Sequence, residues 1–251
     1  MAQWTAEGRV APIKPVSVMW TQGVDPAEAQ RVVSTVRELL QLVYSIGNQV
    51  GLALPTMTIR PFGTWYIPTV PEGTPYWGTR WYVDSSFDSS RQQVIGERFL
   101  ELVRDEPWQK SNPHWDVAII DRDLVDRVRA PVDETRQPFA LATTVPELGT
   151  VLSVHRLRGL VRPEHRQLAL RRLVLNHFGQ VLGLPSRSRR SGIEVVDSHR
   201  FCANQCILRP VTSVEHLVRV AERERGDSVS LCAQCRRDVV EMILMRGRSP
   251  N

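Results

Sequence analysis

Residues 173–186 read LVLNHFGQVLGLPS, a run of apolar residues at helical spacing that polar side chains interrupt. Asn176 and Gln180 are one helical turn apart and Gly183 lies about a further turn on, so these positions face one side of a helix. Gly183 and Pro185 are typical of a helix end. The stretch predicts the last turns of a helix that begins near Arg162 and turns a polar row towards a cleft.

Strands and helices alternate ahead of this helix, as in an α+β fold with an α/β-like layer. The β-rich segment VSVMW at 16–20 predicts a first strand, and residues 117–120 form the continuous apolar run of a strand buried on both faces. Further strands are expected at 57–60 and as a pair within 140–158.

Helix signals follow the first strand. Asp25 is placed to be the N-cap, Pro26 stands at the first helical position, and Glu28 stands where a capping box needs it. Apolar residues then recur at helical spacing as far as Ile46. A second helix is expected over residues 89–105.

All four cysteines lie near the end of the chain: Cys202, Cys206, Cys232 and Cys235. Two close thiolate pairs joined by a connector can converge on one zinc ion with tetrahedral geometry. Two disulfides, or a redox C-x2-C site, are the competing interpretations, but a chain without an export signal keeps its thiols reduced. We therefore predict one structural zinc with four cysteine ligands, a closed site that stabilises the fold.

The order of these segments resembles that of the archaemetzincins, a family of metzincin-type zinc metallopeptidases. The similar segments are VAIIDRDLVD at 117–126, FALATTVPELGTVLSVHRLR at 139–158, HFGQVLGL at 177–184 and the two cysteine pairs. The resemblance implies a metzincin-like mixed twisted sheet with packed helices and a C-terminal four-cysteine zinc subdomain. It also implies that the helix at 173–186 stands where the family carries its H-E-x-x-H-x-x-G-x-x-H motif.

The departures from that motif fall on the metal ligands. Asn176, Gln180 and Ser186 stand in place of the three histidines, and His177 stands in place of the glutamate. Amides and un-ionised hydroxyls are poor zinc ligands, and Leu208 replaces the family's methionine below the metal. The resemblance therefore predicts a protein without catalytic zinc and without peptidase activity.

A pseudo-peptidase of this kind would keep the substrate cleft as a binding site. We expect a peptide or protein segment to pair with an edge strand near residues 152–157 by strand addition. The expected contacts are Leu152, Val154, His155 and His177.

The first alternative is an active zinc peptidase with a rebuilt site. His177 can act as a general base, and the basic loop at 185–200 can be an insertion that brings His199 to the place of the third histidine. His155, His177 and His199 could also form a different metal site. Both versions predict a second metal near His177.

The second alternative is binding of nucleic acid or another acidic partner. Residues 151–200 hold ten arginines and three acidic residues, a surplus of +7 in a chain of net charge +5. Such a face attracts phosphate, although a solvated helix face and a basic loop are the favoured explanation. The arginines in question lie in the region 156–200.

Aromatic side chains are concentrated in the Pro/Gly-rich insert at 62–82, which either binds a ligand or packs its rings on the core; we expect packing. The chain is expected to form a single domain, 1–251, with an N-terminal part at 1–184 and a zinc-stapled part at 185–251. It has no long apolar run and no signal-peptide pattern, which predicts a cytoplasmic protein without a membrane partner.

Overall fold

The structure is a computed structural model that describes residues 14–52, 54–126, 138–196, 199–211, 213–224 and 230–248. Its elements follow in chain order: β1 Val16–Trp20, α1 Pro26–Gln49, β2 Ile59–Gly63, α2 Thr79–Ser86, β3 Phe87–Asp88, β4 Gln93–Ile95, α3 Gly96–Asp105, α4 Pro107–Ser111, β5 Trp115–Ile120, β6 Leu124–Val125, β7 Ala142–Val145, β8 Gly149–Ser153, α5 Pro163–Val181, β9 Ile193–Val196, β10 His199–Cys202, α6 Val214–Arg223 and α7 Ala233–Arg248. A short 3-10 helix at Arg156–Gly159 precedes α5.

The main sheet has five strands in the order β2-β1-β5-β8-β7. Four strands run parallel, and β7 pairs with β8 in the antiparallel sense, so β7 is one edge of the sheet. A small sheet of order β3-β4-β6 and the β9-β10 hairpin complete the strands. The sheet is mixed, as the sequence predicts.

Both faces of the main sheet are covered by helices. Val18 and Ile119 belong to a core shared with α1 and α5 on one face. Their neighbours Met19 and Ile120 belong to a second core, shared with α2 and α3, on the other face. Residues 115–120 are all buried, which confirms the prediction of a strand covered on both sides.

The start of α1 follows its local signals. The Asp25 carboxylate accepts a hydrogen bond from the Ala27 N–H at 2.7 Å, and Glu28 Oε2 accepts one from the Asp25 N–H at 2.9 Å. The capping box is therefore present as predicted.

The helix expected at 89–105 was wrong in its first half. Residues 93–95 form β4, which pairs with β3 and with β6, and the helix begins only at Gly96. Val94 is fully buried opposite Leu124. Pairing with a distant segment therefore overrides the local helical pattern.

The helix that contains residues 173–181 is α5. It ends at Val181, and Gly183 follows with a φ of +85°, in the left-handed region that glycine tolerates. The predicted helix end is confirmed. None of the described helices, α5 included, is long and apolar enough to cross a membrane.

Candidate metal centre and cleft

The four cysteines come together where β10, the loop after it and the start of α7 meet. Their ligand atoms all lie within 4.8 Å of one another, and all four are free thiols. The Sγ atoms of Cys202 and Cys232 are 3.6 Å apart. A tetrahedron with Zn–S bonds of about 2.3 Å has edges of about 3.8 Å. The donor set and its spacing therefore fit one zinc ion with four cysteine ligands.

A second layer of donors surrounds the sulfurs. Arg189 donates to Cys235 Sγ at 3.2 Å and to Cys202 Sγ at 3.3 Å, while forming an ion pair with Asp238 at 3.0 Å. Asn204 donates to Cys232 Sγ at 3.4 Å. Hydrogen bonds from the neighbouring thiols, supported by Arg189, hold the pKa of Cys202 far below its usual range. Such donors favour the thiolate form that a metal needs.

The amides of α5 are bonded to each other and to the loop that carries Cys206. Gln180 Nε2 donates to Asn176 Oδ1 at 2.9 Å, and Asn176 Nδ2 donates to the carbonyl oxygens of Ile207 at 3.2 Å and Arg209 at 2.7 Å. Both side chains are buried. Asn176 therefore ties the helix to the cysteine loop instead of facing the cleft.

Arg172 joins the same network one turn earlier. Its guanidinium donates to the carbonyl oxygens of Ile207 and of Cys206, the latter at 3.1 Å, and pairs with Glu224 at 3.0 Å. Only 1% of its side chain is exposed. Arg172 was expected on a basic surface. The charge pattern of a sequence does not show which arginines are buried.

His177 is held by the edge strand. Its Nδ1 lies 2.9 Å from Thr144 Oγ1, and that hydroxyl is also 2.9 Å from Thr150 Oγ1. Burial lowers the pKa of His177 to about 3, with His199 and Arg172 acting in the same direction and Asp126 opposing them. The imidazole is therefore neutral at physiological pH.

A cavity of about 360 Å³ lies between β7 and the turn after α5. Its wall includes Thr143, Thr144, Val145, Pro146, Gln180, Gly183, Leu184, Pro185, Arg187, His199 and Arg200, with Glu97 and Asp126. Of the four positions that depart from the motif, Gln180 lines the cavity. Ser186 is buried and bonds to Ser188 through their hydroxyls, which are 2.9 Å apart.

The residues expected to contact a partner lie mostly inside the sheet. Leu152 and Val154 are fully buried, and β8, which contains Leu152, lies between β5 and β7. Because β8 pairs with a strand on each side, it offers no edge at which another segment could be added. His155 is exposed at the start of the 3-10 helix, and His177 contacts the edge strand through Thr144. The edge that can accept a strand on this side of the sheet is β7.

The histidines of the rebuilt-site alternative do not assemble into a metal site. Across the part of the chain that the structure describes, two groups of three or more potential ligands come together, and neither contains His155, His177 or His199. His199 pairs with Asp126 at 3.5 Å.

Five arginines of the basic region have carboxylate partners within the molecule. Arg156 pairs with Asp123, Arg158 with Glu28, Arg171 with Glu38, Arg172 with Glu224 and Arg189 with Asp238. The acidic partners all come from outside residues 151–200. Much of the local surplus of positive charge is therefore neutralised by the fold.

The aromatic insert packs mostly on the molecule itself. Trp65 meets Trp108 edge to face with ring centroids 5.4 Å apart, and Tyr76 meets Trp81 at 4.5 Å. Phe62 and Trp65 also line a second cavity, of about 290 Å³.

A second group of potential metal ligands, Glu106, His114 and Asp116, lines this cavity and was not predicted from the sequence. A His-x-Asp pair leading into a buried strand was the available signal. Glu106 comes from the end of α3, and only the fold brings it to that pair.

Comparisons with known proteins address the fold. No family model matches the sequence, and a search of curated proteins gives no match. Among solved structures, the fold is similar to that of archaemetzincin from Methanopyrus kandleri, with a TM-score of 0.50 and 12% sequence identity. The match covers 92% of this chain and 96% of that chain. This likeness confirms the metzincin-like fold that the sequence resemblance predicts.

Proposed function

We propose that this protein is a metallopeptidase-like protein without a catalytic metal, which binds an extended peptide or protein segment in the cleft along β7. The observation that carries the proposal is the amide network on α5. The side-chain amides of Asn176 and Gln180 hydrogen-bond to each other, and Asn176 also bonds to loop carbonyls. These are the two helix positions where the resembled enzymes hold zinc. The four-cysteine centre holds a structural zinc.

The side of β7 that faces away from β8 supplies the binding surface. Leu141 and Ser153 form a hydrogen-bonded pair across the β7-β8 ladder, since the Ser153 N–H donates to the Leu141 carbonyl at 2.9 Å. Hydrogen-bonded and non-hydrogen-bonded pairs alternate in an antiparallel ladder, so the backbone groups of Ala142 and Thr144 point away from β8. An extended segment laid beside β7 would pair with these groups.

The opposite edge of the sheet is less suited to strand addition. β2 carries Pro61, which has no N–H to donate. The cavity wall beside β7 includes Arg187 and Arg200, with Glu97 and Asp126 opposite in charge. A bound segment that carries both an acidic and a basic side chain would match these groups.

Two measurements test the proposal together. Immobilised protein is incubated with a library of synthetic random decapeptides, and the retained peptides are identified and titrated. Ala142→Pro removes an outward N–H without touching the β8 ladder, so we expect at least a tenfold loss of affinity. Ala142→Ser, which keeps the N–H at the same position, should bind as the wild type does.

The metal content tests the absence of a catalytic zinc. Asn176→Ala and Gln180→Ala should bind as much zinc as the wild-type chain, and the wild-type chain should not cleave the retained decapeptides. A lower zinc stoichiometry in either variant, or cleavage that chelators abolish, would contradict the proposal.

A further inference from the structure

The second group of potential ligands, Glu106, His114 and Asp116, lies at the corner where α3 and α4 meet the start of β5. The three side chains are 1%, 7% and 3% exposed. His114 Nε2 is 3.2 Å from Glu106 Oε1 and 3.3 Å from Asp116 Oδ2. One ligand atom from the end of α3 and two from the start of β5 thus converge on one buried point.

The spacing of these atoms matches that of ligands around a metal. A tetrahedral ion with bonds of about 2.0 Å to nitrogen and oxygen separates its ligands by about 3.3 Å. Among the described residues, no donor is hydrogen-bonded to the buried Oε1 of Glu106. This oxygen lies 3.2 Å from His114 Nε2, a separation that two ligands of one ion also show.

The orientation of His114 also suits a metal ligand. Its Nδ1 lies 2.8 Å from the carbonyl oxygen of Asn112, and since a carbonyl only accepts, Nδ1 carries a hydrogen. The lone pair of a neutral imidazole is then on Nε2, between the two carboxylates. Metal-bound histidines in proteins are commonly held by this kind of backbone contact.

The carboxylates have their own supporting donors. Tyr82 Oη donates to Glu106 Oε2 at 2.5 Å, and Gln109 Nε2 donates to Asp116 Oδ2 at 3.1 Å. Gln109 also fixes the backbone of His114, because its Oε1 accepts from the His114 N–H at 2.8 Å. Each potential ligand is therefore oriented by a second residue.

The charge of the group calls for a cation. Two buried carboxylates carry −2, which is costly away from water unless a positive charge compensates it. An imidazolium at His114 supplies one positive charge. A divalent ion bound to neutral His114 supplies both charges.

We propose that Glu106, His114 and Asp116 bind a divalent transition-metal ion, zinc in the simplest case, with an open coordination position that faces the cavity walled by Phe62, Trp65 and Trp108. Imidazole nitrogen with carboxylate oxygen is a donor set that zinc accepts, and three protein ligands leave a fourth position for water or a small ligand. The same three residues line the cavity of about 290 Å³. This centre is separate from the cysteine centre and from the β7 cleft.

Zinc stoichiometry and zinc-edge anomalous scattering on the full chain test this proposal. After equilibration with zinc and removal of the excess, the wild-type chain should hold two zinc ions, one at the cysteines and one between Glu106 and His114. Glu106→Gln and Asp116→Asn keep the shape of each side chain and should each lower the content to one, with the cysteine zinc retained. The matched control is Asp105→Asn, an exposed carboxylate beside Glu106 that should leave two ions.

A graded variant separates a metal site from a buried ion triad. Gln109→Ala removes a supporting donor but no ligand, so zinc should still bind, with affinity weaker by roughly 10 to 100 times. One zinc per wild-type chain, with anomalous density confined to the cysteines, would overturn the proposal and leave His114 as an imidazolium between two carboxylates. Unchanged zinc content in folded Glu106→Gln and Asp116→Asn would overturn it as well.

Discussion

His177 is held in its neutral form, and this has a consequence for stability against acid. Its folded pKa of about 3 lies below the ordinary value of 6.5, because burial, His199 and Arg172 disfavour the imidazolium. Between these two values the unfolded chain binds a proton that the folded chain does not. Stability from this residue is therefore complete above pH 6.5 and is lost as the pH falls towards 3.

Replacing His177 by glutamine should remove this part of the acid sensitivity, since glutamine can still bond to Thr144 Oγ1. From pH 6.5 to pH 5 the wild-type chain should lose roughly 1 to 2 kcal/mol more of its free energy of unfolding than His177→Gln. Urea denaturation at a series of pH values measures the difference. His155→Gln, at an exposed position, is the control and should follow the wild type; equal pH slopes for wild type and His177→Gln would contradict the assignment.

Single residues also show which features of the candidate site could be predicted from the sequence. The order of the motif placed Asn176 and Gln180 at positions where the resembled family carries zinc ligands, because spacing on one helix is a local property. The direction of the Asn176 amide was not predictable, because its acceptors belong to residues 207 and 209, which only the folded chain brings near. The cysteine cluster was predictable, since four ligands in two short motifs need little from the rest of the fold.

At the level of elements, α5 is fastened to the cysteine loop and to α6 by Arg172. Replacing it with methionine removes donors from the Cys206 and Ile207 carbonyls and leaves Glu224 without its partner. We expect Arg172→Met to lower the free energy of unfolding by roughly 3 to 5 kcal/mol.

Arg171, at the preceding position of the same helix, offers a matched control. Its pair with Glu38 lies nearer the surface, so Arg171→Met should cost about 1 kcal/mol or less. Denaturant unfolding of both variants makes the comparison. Equal losses for the two would mean that Arg172 does not fasten the helix.

Strand β4 marks where element prediction failed, and β7 marks a property of the sheet that local sequence does not give. Residues 93–95 belong to a segment with a helical apolar pattern, yet they pair with β3 and β6, where Val94 is fully buried. The position of the expected contact strand within the sheet could not be predicted for a related reason. Both β7 and β8 read as strands, and which of them ends the sheet depends on pairing between β8 and β5, 30 or so residues apart in the chain.

For the molecule as a whole, the cysteine zinc should hold the C-terminal part in place. A structural zinc contributes free energy of folding directly, so Cys232→Ser should lower the zinc content by one ion and the unfolding midpoint by roughly 10 °C or more. Hydrogen exchange should show lost protection first in α7 and in the β9-β10 hairpin. Ser230→Ala, two residues earlier, is the control and should leave both values unchanged; a Cys232→Ser chain as stable as the wild type would argue against a structural role.

The sequence by itself determined the metzincin-like layer of strands and helices, the capped α1, the end of α5 and the cysteine ligands. Each of these depends on spacing within a short segment, where local geometry leaves few choices. The tertiary structure alone decided that β7 is an edge of the main sheet, that five arginines form internal ion pairs, and that Asn176 faces a loop. It also assembled Glu106 with His114 and Asp116. The physical reason is common to all four: burial, charge pairing and ligand convergence are set by contacts between distant segments, and no local pattern in the chain encodes which segments will meet.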